Sequence, residues 1–315
     1  MTQSSSPLSD RPARRIAISG SSGFLGTALA NRLQRESITI HRLRRGDRAA
    51  PPDIPWRPDA GRIDVAALDG VDAVVNLSGE QIARRWTPKH KRAIRDSRLD
   101  STTLLSRSIA DLLHPPKVYI SGSAIGIYGD RGDEELDEDS RLGTDFLAEV
   151  AAAWEHSTEA ARTAGIRVVL IRTGIVLSPH GGALAKLVLP FKLGLGGKIG
   201  SGQQWMSWIA LEDWLSAVEF AIAADVSGPM NLVAPNPVPN AVFAKTLARV
   251  LGRPALVPVP ALALSAAFGE MGRATLLASQ RIHPRRLIEA GFEFAHPTLE
   301  HALRAELGTD HDRVP

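Results

Sequence analysis

Residues 15–35 read RIAISGSSGFLGTALANRLQR, and the architecture of the whole chain turns on them. The apolar run RIAIS predicts a buried strand over 15–19, and FLGTALANRLQR has the apolar spacing of a helix over 24–35. Between them stand Gly20, Gly23 and Gly26 in the pattern G-x-x-G-x-x-G. Glycine permits a tight turn there and lets a pyrophosphate approach the backbone, where the N-terminus of the next helix meets its charge. Such a triplet is weak alone. Lodged between a strand and a helix, it points to a dinucleotide site built from Gly20, Ser22, Gly23, Phe24, Leu25 and Gly26.

Outward from this unit the same alternation repeats. Strands are expected over 37–43, 72–77, 117–121 and 167–172, and helices over 88–113 and 144–164, with one more short strand and helix over 53–68. This pattern predicts an α/β fold, a Rossmann-type doubly wound parallel sheet with helices on both faces. Past about residue 177 the texture changes. Seven glycines fall within 178–202, which excludes a regular element throughout and predicts mobile loops. A helix over 208–224, a strand over 228–233 and a mostly helical, proline-punctuated remainder follow. The expected domains are a leader over 1–13, a dinucleotide-binding Rossmann domain over 14–177 plus 206–234, and a smaller C-terminal substrate lobe over 178–205 plus 235–308.

The composition narrows the function. The 315 residues are 44% hydrophobic and 23% charged, an ordinary globular balance for a large α/β unit with an appended lobe. The absence of cysteine excludes a disulfide framework, a zinc–thiolate site and a thiol nucleophile. A net charge of +3 is too small to make nucleic acid the main partner. The first fifteen residues lack the apolar stretch of a secretory signal, and the most apolar later stretch, 256–268, carries Pro258 and Pro260 and is too short to span a bilayer. A cytoplasmic protein with a small-molecule partner is expected, with no metal site.

The end of the second strand selects the cofactor. An acid there would bind the adenosine ribose of NAD, whereas arginine suits the 2′-phosphate of NADP. Residues 41–48 read HRLRRGDR, so Arg44 is the expected phosphate contact and Arg45 lies on or near the adenine. The alternative is a solvated basic loop.

Further motifs accompany the glycine turn. They are Asn76-Leu77-Ser78-Gly79-Glu80, Arg85-Trp86, Ser97-Arg98, Ser123-Ala124 with Tyr128-Gly129, Trp154-Glu155, Gly181-Gly182-Ala183, GLGGKIGSG over 194–202, Ser207-Trp208-Ile209 and Gly269-Glu270. Together they resemble the atypical extended short-chain dehydrogenase/reductases of the sugar-epimerase-like, NAD-dependent epimerase/dehydratase kind, from residue 15 to about 307. The resemblance implies a Rossmann-type domain, bound NADP(H) and a family-specific C-terminal segment. It also implies that Asn76, Leu77, Ser78 and Gly79 pass beside the cofactor, with Glu80 and Arg85 at the cleft edge. Asp64 would lie near the adenine, Ser121 beside the cofactor, and Thr173 and Gly174 near the nicotinamide.

In that superfamily a serine orients the substrate oxygen, and a Tyr-x-x-x-Lys helix moves the proton that accompanies hydride transfer. Ser123 matches the serine. In the implied register Phe146 stands for the tyrosine and Val150 for the lysine, and neither carries an exchangeable proton. Tyr128 and Glu80 are the substitute proton carriers. For Tyr128 the alternative is a phenol capping its loop, and for Glu80 a hydrogen bond to the cofactor. Glu149 and Glu155 are expected on a solvated helix face or against arginine-rich segments. The basic run over 89–98 could attract a phosphorylated or nucleotide-linked substrate; the alternative is a solvated basic face for Lys89, Lys91 and Arg92, with Ser97 and Arg98 supporting the cofactor cleft. The glycine run with Lys198, Gln204 and Trp205 reads either as a hinged lid or as packing between lobes. The functional expectation is an NADP(H)-dependent oxidoreductase or epimerase-like enzyme for a small polar substrate or nucleotide sugar. Its rival is a non-catalytic NADPH sensor or scaffold.

Overall fold

The computed structural model describes residues 14–308, so the expected leader over 1–13 lies outside the described residues. The first strand, β1 (Arg15–Ser19), and the first helix, α1 (Phe24–Arg35), fall on the expected residues. In chain order come β2 (Thr39–Arg45), β3 (Ile54–Arg57), β4 (Arg62–Ile63), α2 (Val65–Leu68), β5 (Ala73–Asn76), α3 (Pro88–Ala110), β6 (Val118–Ala124), α4 (Phe146–His156), α5 (Glu159–Thr163) and β7 (Arg167–Thr173). The rest of the main body is β8 (Ile175–Leu177), α6 (Gly182–Lys192), β9 (Trp208–Ala210), α7 (Leu211–Ala223), β10 (Gly228–Leu232), α8 (Asn240–Val250) and α9 (Ala261–Phe268).

Eight strands form one sheet in the order β10-β7-β6-β5-β1-β2-β3-β4, parallel at every pairing except β3–β4. Alternate residues of each strand enter opposite cores, as the pleat requires. Ile16, Ile18, Val75, Ile120 and Val169 pack against α1 and α7, while Ala17, Val74, Tyr119, Val168 and Leu170 pack against α3 and α5. The strand order reverses at β1, which has β2 on one side and β5 on the other. Ligands of doubly wound sheets bind at such a reversal, beyond the strand C-termini. A third core joins β8, β9, α6 and α8 through Leu177, Leu184, Phe191, Trp208, Phe243 and Leu247, with Leu303 of the last helix.

Four local expectations change. The second strand starts at Thr39, because Ser37 turns the chain with φ +61°. The single helix over 144–164 is two: the Ser157 and Thr158 hydroxyls donate back to the Ala153 and Glu155 carbonyls and break it. Trp208–Ala210 is a strand paired in parallel with β8, and the helix begins only at Leu211. The glycine-rich segment holds α6, formed by the apolar run between Gly182 and Pro190. Among the described residues no helix is long and apolar enough to cross a membrane.

Candidate functional site

The β1–α1 turn is shaped by two close approaches. Gly20 has φ +68°, and a Cβ there would stand 2.5 Å from the Leu77 carbonyl oxygen. A Cβ at Gly26 would stand 2.2 Å from the Gly20 carbonyl oxygen. Gly20 thus lets the turn lie against the end of β5, and Gly26 lets α1 lie against the turn. Gly23 differs: it is exposed, and its amide donates to the Gly20 carbonyl at 2.9 Å. It caps α1, which has no side-chain cap and no acid in its first turn. The first-turn N–H groups and the positive end of the helix dipole are therefore open to an anion. Ser22 is exposed beside Gly23, whereas Phe24 and Leu25 pack partly into the core. This cradle fits a pyrophosphate.

Across the reversal point, Asn76 is fully buried and works as a clamp. Its Oδ1 accepts from the Ser19 hydroxyl and the Ser78 amide, and its Nδ2 donates to Thr102 Oγ1 at 2.8 Å and to the Tyr119 hydroxyl at 3.3 Å. Ser121 is equally buried and donates to the Gly122 carbonyl. Asn76 ties the ends of neighbouring strands together, and neither its side chain nor that of Ser121 is open to the cleft, where both were expected beside the cofactor. Leu77 and Gly79 do reach the surface beside the turn, while Ser78 is buried. The Glu80 amide donates to Ser97 Oγ at 2.9 Å, and its carbonyl accepts from Arg98 Nη1 at 3.1 Å, leaving a partly exposed carboxylate. Burial lowers the Arg98 pKa to about 10, against the opposing pull of Glu80.

Ser123 and Tyr128 belong to a buried network whose centre is Arg172. Ser123 lies in register with Arg172 on the neighbouring strand, and its hydroxyl donates to Glu155 Oε1 at 2.7 Å. Arg172 donates through Nε and Nη2 to the two Glu155 carboxylate oxygens at 2.8 and 2.9 Å, and through Nη1 to the Tyr128 hydroxyl at 2.9 Å. Tyr128 in turn donates to Asn231 Oδ1 at 2.7 Å. The phenol is fully buried, and burial pushes its pKa up to about 12. The phenol is closed off from the surface and held between Arg172 and Asn231, which is the geometry of the capping alternative rather than of an exposed proton carrier. Of the two places expected for Glu155 the structure gives one against an arginine, buried on Arg172, and not a solvated face. A charged residue ending the apolar strand RVVLIR was the available signal, because such a cation demands a buried counter-charge.

The remaining expected residues disperse. Arg44 Nε pairs with Asp53 at 2.9 Å with half its side chain exposed, and Arg45 is exposed beside it. Asp64 caps α2 by accepting from the Ala67 amide. It lines a cavity of about 600 Å³ along β2 and β3, together with Arg15, His41 and Arg48. That cavity contains none of the glycine turn. Arg85 Nη1 donates to the Ala266 carbonyl at 3.0 Å, which ties it to α9. Thr173 ends β7 opposite Ala124 and accepts from Trp214 Nε1, while a Cβ at Gly174 would meet Val233 at 2.6 Å. Lys91 is not simply solvated: its Nζ binds Glu270 at 2.8 Å and stands 4.2 Å from the centre of the Phe146 ring. The run after α6 is pinned, with the Gly200 amide on the Val259 carbonyl and Gln204 Nε2 on the Ile199 and Leu276 carbonyls. One unforeseen contact touches the turn itself. A Cβ at Gly181, just before α6, would lie 2.4 Å from the Phe24 ring.

A parallel sheet whose order reverses beside an uncapped, glycine-shaped helix start defines a Rossmann-type nucleotide-fold protein. The chain belongs to the NAD dependent epimerase/dehydratase family, whose model matches residues 16–233. Residues 259–306 match a domain of unknown function, DUF1731. The epimerase family protein Mb2239 of Mycobacterium bovis is 45% identical over 290 residues, spanning 91% of this chain and 96% of its own. The crystal structure of human epimerase family protein SDR39U1 (isoform 2) with NADPH is similar at a TM-score of 0.85 and 34% identity, covering 93% of this chain and 99% of its own. A nucleoside-diphosphate sugar epimerase from Corynebacterium glutamicum is similar at a TM-score of 0.78 and 39% identity, covering 95% of this chain and 59% of its own.

Proposed function

We propose that the chain binds NADP(H) across the β1–β5 reversal and acts as an oxidoreductase or epimerase-like enzyme on a small polar substrate, such as a nucleotide sugar. The observation that carries this reading is the open start of α1 at Gly23, free of any acid that would compete with a pyrophosphate. When bound, the cofactor would supply hydride transfer. The α1 amides would hold its diphosphate, and the Arg44 donors not engaged by Asp53 would select the 2′-phosphate. Leu77 and Gly79, at the surface beside the turn, would line the far side of that path, with Thr173 and Gly174 at the end of β7 as the expected nicotinamide neighbours. The lobe read as 178–205 plus 235–308 closes the substrate side.

Ser123, nearly buried and donating to Glu155, would have to turn its hydroxyl from that carboxylate to donate to a substrate oxygen. α4 contains neither tyrosine nor lysine, so the usual dyad is missing and Glu80 is the acid left near the cleft edge to move a proton. The missing dyad and the inaccessible Tyr128 favour a second reading, a cofactor-binding sensor without turnover.

Fluorescence titrations with NADPH and NADH test the assignment. NADPH is expected to bind at least about tenfold tighter, and Arg44→Ala should shrink the difference. Equal or tighter NADH binding would overturn it. Consumption of NADPH by some carbonyl in a broad screen, lost in Ser123→Ala, supports the enzyme; tight binding with uniform inertness supports the sensor.

A further inference from the structure

We infer that Arg98 is the receptor for an oxyanion, a carboxylate or phosphate, on the substrate that this cleft accepts. The inference rests on the cleft reading above and adds a chemical class to it.

Arg98 lies on α3 with its guanidinium 5.2 Å from the centre of the Trp154 ring. Nη1 is spent on the Glu80 and Ile94 carbonyls, at 3.1 and 2.9 Å. Among the described residues Arg98 forms no ion pair, and its Nε and Nη2 are neither hydrogen-bonded nor sealed from solvent. The contrast with the other interior arginines is informative. Arg172 receives a two-pronged carboxylate from Glu155, and Arg167 spends its donors on the Ala221, Ile222 and Val226 carbonyls. Arg98 alone of these three keeps a free Nε–Nη2 edge, the fork whose spacing matches two oxygens of a carboxylate or phosphate.

Access to that fork depends on Gly79. A Cβ there would come within 3.0 Å of the Arg98 Cζ and 3.2 Å of Nη2, so any side chain would cover the guanidinium. Gly79 is exposed and stands two residues past Leu77, whose carbonyl abuts Gly20. The fork therefore lies beside the dinucleotide path. Its phosphates have receptors of their own at α1 and Arg44, which leaves the Arg98 edge for another ligand. Glu80 attracts Arg98 without forming an ion pair, so desolvating this cation remains costly, and an anion on the free edge offsets that cost.

The test is an NMR titration of the arginine Nε–H resonances in the NADPH-loaded full chain, with sodium acetate, inorganic phosphate and sodium chloride at matched ionic strength. Arg98→Lys identifies the Arg98 signal by its loss; should that variant not fold, Gly79→Ala identifies it by a selective shift. A saturable response to acetate or phosphate and none to chloride is expected, and whichever anion acts separates a carboxylate substrate from a phosphorylated one. Gly79→Ala should weaken that response about tenfold. No movement with either anion while NADPH binds overturns the receptor and leaves the cofactor reading standing. A response to acetate in a chain that fails to bind NADPH does the reverse.

Discussion

Removing Glu155 should unbalance the interior, because it strands the buried Arg172 guanidinium. Arg172 and Glu155 are only 4% and 8% exposed, and both carboxylate oxygens are engaged by the guanidinium. In Glu155→Ala the cation keeps only the Tyr128 hydroxyl and the Glu138 carbonyl, neither of which carries a counter-charge. Stranding a buried charge in this way costs about 3–5 kcal/mol. With an unfolding entropy of roughly 2 cal/mol/K per residue, the 315-residue chain should lose roughly 5–8 °C in Tm. Glu155→Leu with Arg172→Met removes the demand along with its answer, and should recover all but about 1–2 kcal/mol. Urea denaturation and calorimetry at neutral pH read both variants. A single-variant loss below about 1 kcal/mol, or a double variant no better than the single, would refute the argument that the pair is mutually required.

Two further predictions separate building from binding and give a pH dependence. Gly26→Ala places a methyl 2.2 Å from the Gly20 carbonyl oxygen, so stability should fall by about 1–3 kcal/mol together with NADPH affinity. Gly23→Ala meets that oxygen only at 3.3 Å and should weaken NADPH binding with a stability change under about 1 kcal/mol; paired calorimetry and cofactor titration would show both losses moving together if the distinction were false. Glu306 accepts from the Leu211 amide, yet burial, with Glu212 and Asp213 adding to it, raises its pKa to about 7. Because the folded value lies above the ordinary carboxylate range, the fold prefers the protonated acid, and stability drains away as pH rises from about 4.5 to 7. Glu306→Gln should therefore stabilise the protein by about 1–2 kcal/mol at pH 8 and hardly at all at pH 4, as read by thermal denaturation; equal gains at both would exclude the charge as the cause.

The strand–turn–helix unit that opens the fold was legible because its determinants are local. Gly20, Gly23 and Gly26 act within one turn, and the bounds of β1 and α1 follow from apolar spacing over a few residues. The proton-handling half was not, because its environment is made by distant chain. Whether Tyr128 is reachable depends on Arg172 and Asn231, and the state of Ser123 on Glu155, none of them neighbours in sequence. Asn76 shows the same limit from the other side. Its motif placed it beside a cofactor, but only the packing of Thr102 and Tyr119 behind it reveals that its amide is already fully engaged.

The seat of the Phe24 ring against Gly181 has an engineering consequence. Exchanging the 178–205 segment for that of another protein also changes the seat of Phe24, the first residue of α1. Any donor segment with a side chain at 181 must evict that aromatic ring, so chimeras of this scaffold are constrained by a single missing methyl.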